Sequence, residues 1–121
     1  MIWLSLIGRF GTIGGCDMGK IFVAVKRPGE PPRHVWMSNT LENFQRYVGG
    51  YIEAVTVVSD LVIICNEEGR LMGLPHNCTI CSVDFVGDIV FAGVKGEEFT
   101  DLPCDWKVFK MVFSNLREGT A

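Results

Sequence analysis

No apolar run in this chain of 121 residues approaches the roughly twenty that a membrane-spanning helix requires, so no such helix is expected. Histidine is scarce: the 2 present, His34 and His76, leave little material for a relay or a histidine-rich metal cluster. Basic residues are outnumbered, 11 Lys and Arg against 14 Asp and Glu. No Lys/Arg cluster of the kind that tracks a phosphate backbone occurs, and direct nucleic-acid binding is not expected. The 5 cysteines cannot all pair with one another. Cys65 and Cys104 fall in apolar settings, where a reduced thiol behaves as a small hydrophobe, so a reducing, cytoplasmic compartment is expected. The triplet Asn77, Cys78, Thr79 is a formal sequon and is given no weight. With 48% hydrophobic residues, the chain has material for one core and one small domain.

What the chain does contain is concentrated between residues 28 and 77. Pro28, Gly29, Pro31 and Pro32 remove donors and invite positive φ, which makes a rigid turn. Residues 21–25 and 34–37 are β-branched, aromatic or alternating, so strands should flank that turn as a hairpin. Ser38, Asn39 and Thr40 are N-cap types, with Glu42 or Asn43 following in the first turn of a helix. Leu41, Phe44, Tyr47 and Val48 recur at three- and four-residue spacing on one apolar stripe. Gly49 and Gly50 end the helix as a left-handed cap, a conformation that a residue with a Cβ resists.

A second hairpin is expected from residues 51–58, a tight turn at Ser59 and Asp60, and residues 61–65. Its second strand is apolar throughout and should lie centrally with both faces covered, whereas Glu53 marks a wetter face on the first. Asn66 and Gly69 punctuate the next turn: the asparagine bonds its own backbone and the glycine takes positive φ. Glu67 and Glu68, within that turn, form a poor acid–base pair, because neighbours on an extended chain point to opposite sides. Residues 71–77 read as a short extended segment that Pro75 confines to an edge or a strand end. Residues 78–84 read as a brief bridge and 85–93, including Gly87, as a final strand. Thr100 or Asp101 then caps a C-terminal helix rich in Trp106, Phe109, Phe113 and Leu116, a segment whose β-branched and aromatic content also allows a strand.

The strings RPGEPPRHVWMSNTLENFQRYVGGYIEAV, NEEGRLMGLPHN and VGDIVFAG together strongly resemble domain of unknown function 3846, a small bacterial and bacteriophage family. The resemblance thins at residues 78–84, where relatives usually carry a longer insertion, and resumes at Phe85. It implies a fold boundary and a phage or mobile-element context, and it carries no biochemical role. Within it, Gly49, Gly50, Asn66, Gly69, Pro75, Asn77 and Gly87 are the residues of structural motif.

The expected architecture is a single α+β domain over residues 18–121. It has an antiparallel-rich sheet of about five strands built from hairpins, one short helix after the first hairpin and a C-terminal helix, both covering one face. Residues 1–17 are expected to lie outside it, as a leader absent from the natural protein or a disordered arm, with a genuine N-terminal strand or a partner-binding arm as the alternative. Arg9 interrupts their apolar run and the start is not basic, a poor secretory signal. Gly14 and Gly15, whose codons resemble a ribosome-binding tract, stand shortly before Met18.

His76, Cys78 and Cys81, with Cys65 or Cys104 as a fourth ligand, have zinc-like spacing but lack a second ligand pair, so no metal and no cofactor is expected. Cys78 or Cys81 beside His34 or His76 would make a thiolate and base, yet no oxyanion-hole motif accompanies them, and no catalytic residue is assigned. From Tyr51 to Asp105 the balance is 2 basic against 10 acidic residues. DNA mimicry would need Glu53, Glu67, Glu68, Asp84, Asp88, Glu97 and Glu98 on one face, which alternation along strands opposes. The functional expectation is a small non-enzymatic interaction protein acting through a protein partner or as a homodimer, by a sheet edge. The alternative is a small-ligand or nucleotide-binding domain.

Overall fold

The computed structural model describes residues 2–4, 20–58 and 60–113. Among them the chain forms β1 (Ile2–Leu4), β2 (Lys20–Lys26), β3 (Arg33–Ser38), α1 (Leu41–Val48), β4 (Ile52–Val58) and β5 (Leu61–Asn66). There follow β6 (His76–Ile80), β7 (Val83–Val86), β8 (Ile89–Lys95), β9 (Glu98–Thr100) and α2 (Trp106–Phe113). The main sheet is antiparallel, in the order β1-β4-β5-β8-β2-β3, with β9 beside the far half of β8. β6 and β7 pair only with each other, as a separate ribbon.

The alternation of each strand divides the core in two. Ile21, Val23, Val25, Ile64, Val90 and Ala92 pack under α1 with its Phe44 and Val48. On the other face Ala24, Ile63, Cys65, Ile89 and Phe91 meet Cys78 and Phe85 of the ribbon and Phe109 of α2. The two helices therefore lie on opposite faces, which corrects the expectation that both cover one. The reason is the direction of the chain: Phe109 reaches Phe91 at a ring distance of 5.0 Å, on the side away from Phe44. β5 is buried at every position, the central strand that its unbroken apolar run requires.

α1 follows local rules. Thr40 Oγ1 accepts from the Asn43 backbone N–H at 3.2 Å, and Gly49 closes the helix at φ 84°. Several other expectations need correction. Residues 67–73 are turns rather than partly extended chain. Residues 78–84 are a hairpin: Cys81 and Ser82, at φ 52° and 69°, supply two consecutive left-handed residues, the requirement of a two-residue loop matched to strand twist. Gly87 is a bend at φ 73° between β7 and β8, not the interior of one strand. Asp101 does not cap a helix; its Oδ1 accepts from the Phe22 N–H at 2.8 Å, Thr100 ends β9, and α2 starts at Trp106.

Ile2–Leu4 pairs with β4. The rest of the segment 1–17, together with Ser59 of the tight turn and Leu116 of the last helix, lies outside the described residues.

Candidate functional site

The seven motif residues gather into two connected groups around the turns at 67–73. At the first, Asn66 is the hub: Oδ1 accepts from the Glu68 N–H at 2.7 Å and Nδ2 donates to the Val48 carbonyl at 3.1 Å. That side chain joins the end of β5 to the end of α1. Gly50 does not share the left-handed conformation of Gly49, which corrects the expectation for the pair; it makes room for the amide, since a Cβ there would stand 2.9 Å from Asn66 Nδ2. Gly69 does not adopt positive φ; its need is space, because a Cβ would come within 2.7 Å of Val86 Cγ2.

The second group centres on Asn77, fully buried at the start of the ribbon. Its Nδ2 donates to the Lys26 carbonyl at 2.9 Å and the Gly87 carbonyl at 2.6 Å. The Pro75 carbonyl accepts from the Gly87 N–H at 2.8 Å. Lys26 completes the group, although the β-branched run that marks the strand in the sequence ends at Val25. Its side chain is 1% exposed. Nζ donates to Asn77 Oδ1 at 2.8 Å and to the carbonyls of Asn77 and Arg27, both at 3.4 Å. Three donors thus meet three oxygens, the condition under which an ammonium is tolerated inside. Burial still lowers its pKa from 10.5, against the opposing pull of Cys78 and Glu30. A signal existed in principle: Lys26 follows Phe22 and Ala24 on the ribbon-facing side of β2, where a charge needs a partner.

A cleft of about 230 Å³ opens between the end of β5, the turns and β7. Its floor includes Cys65, Val83 and Phe85, and Glu53, Glu67, Glu68 and Asp84 stand around it. Glu67 and Glu68 both line it, because the chain there turns instead of running extended. Burial, reinforced by the neighbouring Glu67, raises the pKa of Glu53. The arrangement suits a cationic or polar group over an apolar floor and opposes a phosphate. Arg70 Nη2 is committed to the Asp84 backbone carbonyl at 2.9 Å.

The candidate zinc ligands diverge. Cys78 is buried beneath the ribbon, whereas Cys81 and Cys104 are exposed and free. His76 Nε2 lies 3.2 Å from Thr79 Oγ1 and 3.7 Å from Asp84 Oδ1. Among the described residues no three His, Cys, Asp or Glu side chains converge on a metal position. Burial pushes the Cys65 thiol up to about 12 and the Cys78 thiol up to about 11. Neither is poised as a nucleophile at neutral pH.

The surface carries a third feature, at the β3 edge. Trp36, 64% exposed, meets the Phe22 ring at 5.2 Å, Phe22 meets His34 at 5.1 Å, and His34 meets Trp106 at 4.9 Å. Cross-strand register explains the row: Phe22 lies opposite Trp36 and Ala24 opposite His34, all on the face that α2 covers.

Fold and sites together define a small α+β domain whose antiparallel sheet is sandwiched between one helix and a ribbon-plus-helix layer. The chain belongs to the family described as Domain of unknown function (DUF3846), whose family model matches residues 20–113. That span begins with β2 and ends with α2. No curated protein and no solved structure matches the chain.

Proposed function

We propose that the protein is a small non-enzymatic interaction protein of a phage or mobile element, working in the cytoplasm through a protein partner or a copy of itself. The observation that carries this reading is the edge strand β3. Among the described residues it pairs on one side only, with β2, and it displays Trp36 to solvent. An open edge presents unpaired N–H and C=O groups as a template for another strand, and a large exposed aromatic beside it is a typical interface anchor. The buried, high-pKa thiols of Cys65 and Cys78 support a non-catalytic role. The free, exposed thiols of Cys81 and Cys104 suit a reducing compartment, and the resemblance to a phage domain supports the genomic context.

The test is in-cell cross-linking followed by mass spectrometry, with wild-type and Trp36→Ser chains expressed at equal level. Proteins enriched by the wild type, this chain included, are expected to fall at least fivefold with the variant. Enrichment that ignores the substitution would remove the β3 edge as the working surface.

The acidic cleft favours a second reading, that of a small-ligand-binding domain. Its shape and charge suit a compact amine better than a nucleotide. A thermal-shift screen with amines and nucleotides separates the two readings. A rise of several degrees that is lost in Glu53→Gln supports ligand binding, and unchanged transitions leave the interaction reading alone.

A further inference from the structure

We infer that β3 is the pairing edge of a weak, two-fold homodimer in which each Trp36 is covered by an aromatic ring of the second copy; this rests on the interaction reading above and names its partner. The strand is complementary to itself. Side chains directly opposite in an antiparallel pair share a face, so a two-fold axis through the edge passes at a residue, and the axes that set an aromatic ring of β3 opposite Trp36 are those at Val35 and at Trp36. In the first register His34 lies opposite Trp36 of the other copy, twice. In the second the two Trp36 rings oppose each other. Both place an aromatic partner against the most exposed part of the row Trp36, Phe22, His34, Trp106.

Charge permits the same pairing. Arg33 is the one formally charged residue of β3, at its first position. In either register it stands at least four residues from its symmetry mate along the strand direction, about 13 Å at strand rise. That exceeds the ~8 Å screening length at physiological salt. An acidic strand from a foreign protein would gain from Arg33, whereas this pairing also requires residues equivalent to His34 and Trp36 at the opposing positions. The second copy has both.

Area sets the strength. A stable dimer buries roughly 800 Å² per partner, more than a tenth of the 6906 Å² surface of the described chain. The six residues of β3 give an edge only about 20 Å long, and a Trp contributes on the order of 200 Å². The interface therefore belongs with small, transient ones, and dissociation in the micromolar range is expected.

Sedimentation equilibrium on the full chain, with reductant present to keep Cys81 and Cys104 from cross-linking, tests this from 5 to about 500 µM. A reversible monomer–dimer equilibrium is expected, weakened at least tenfold by Trp36→Lys and by Trp36→Ser, with the melting temperature of each variant at low concentration within a few degrees of wild type. The milder serine change keeps the test decisive should lysine perturb folding. A chain strictly monomeric at the highest concentration overturns the homodimer, as does a dimer indifferent to both substitutions. If the chain is monomeric while cross-linking to foreign proteins still depends on Trp36, the homodimer fails and the interaction reading stands.

Discussion

Lys26 and Asn77 are 51 positions apart, and each satisfies groups that the other would leave orphaned. Removing the amide is the harsher change: Asn77→Ala takes an acceptor from a buried ammonium and a donor from the carbonyls of Lys26 and Gly87. A loss of roughly 3 kcal/mol is expected in denaturant unfolding. Lys26→Met, which removes the charge itself, should cost only about 1 kcal/mol. Equal losses would show that the ammonium is not the group needing support. The thiols set a second expectation at this scale. Cys65 and Cys78 titrate at about 12 and about 11 when folded, against 9.0 ordinarily. A raised thiol pKa contributes stability that is complete below pH 9 and is lost as pH climbs towards the folded values. Lys26, lowered from 10.5, acts in the opposite sense, because the unfolded chain holds that proton longer. The melting temperature is thus expected to fall between pH 9 and 10.5, less steeply in Cys65→Ala/Cys78→Ala and more steeply in Lys26→Met. A double cysteine variant with the wild-type slope would contradict the assignment.

Among the elements, α1 was the most legible. Its cap at Thr40, apolar stripe and closing glycines all act within a few residues, where local chemistry decides. The two glycines turn out to do different things, and substitution separates them. Gly49→Ala meets only the cost of a left-handed residue, about 1 kcal/mol. Gly50→Val drives a side chain into the Asn66 amide and threatens its bonds to Val48 and Glu68, for roughly 2 to 3 kcal/mol. Chemical denaturation of the two variants checks the order. The ribbon was the least legible element. Its turn uses Cys81 and Ser82 at positive φ, without the Asn-Gly or Gly-Gly signature by which such loops are recognised, so the sequence of β6 and β7 has the look of a mere connection. The burial of Lys26 was equally hidden, because it depends on a residue brought close only by the tertiary fold.

For the molecule as a whole, hairpins and a central β5 could be read from alternation, but the side on which each helix packs could not. Phe109 could in principle have joined the face of Phe44; the path from β9 along the first half of β2, on the side where β8 does not pair with it, with the Leu102 N–H bonded to the Phe22 carbonyl at 2.8 Å, commits α2 to the other side. Both described core clusters draw on residues from Ile21 onward. A chain starting at Met18 keeps the described residues of both clusters but leaves β4 unpaired on the β1 side, and it is expected to unfold cooperatively a few degrees below the longer form in differential scanning calorimetry. A fall of ten degrees or more would make the earlier segment part of the packed domain.

The ribbon that pairs only with itself has a consequence for how the native state breathes. Its backbone is joined to the main sheet through side chains, by the burial of Cys78 and Phe85 and the bonds between Asn77 and Lys26, whereas β5 is laddered to β4 on one side and β8 on the other. Amide protons of β5 should therefore exchange with solvent deuterium only when the whole molecule unfolds, and those of β6 and β7 through a cheaper, separate opening. Asn77→Ala, whose bonds are lost in either opening, would speed exchange in both layers by about the same factor and leave the ribbon exchanging ahead of β5 through a single mass-spectrometric time course.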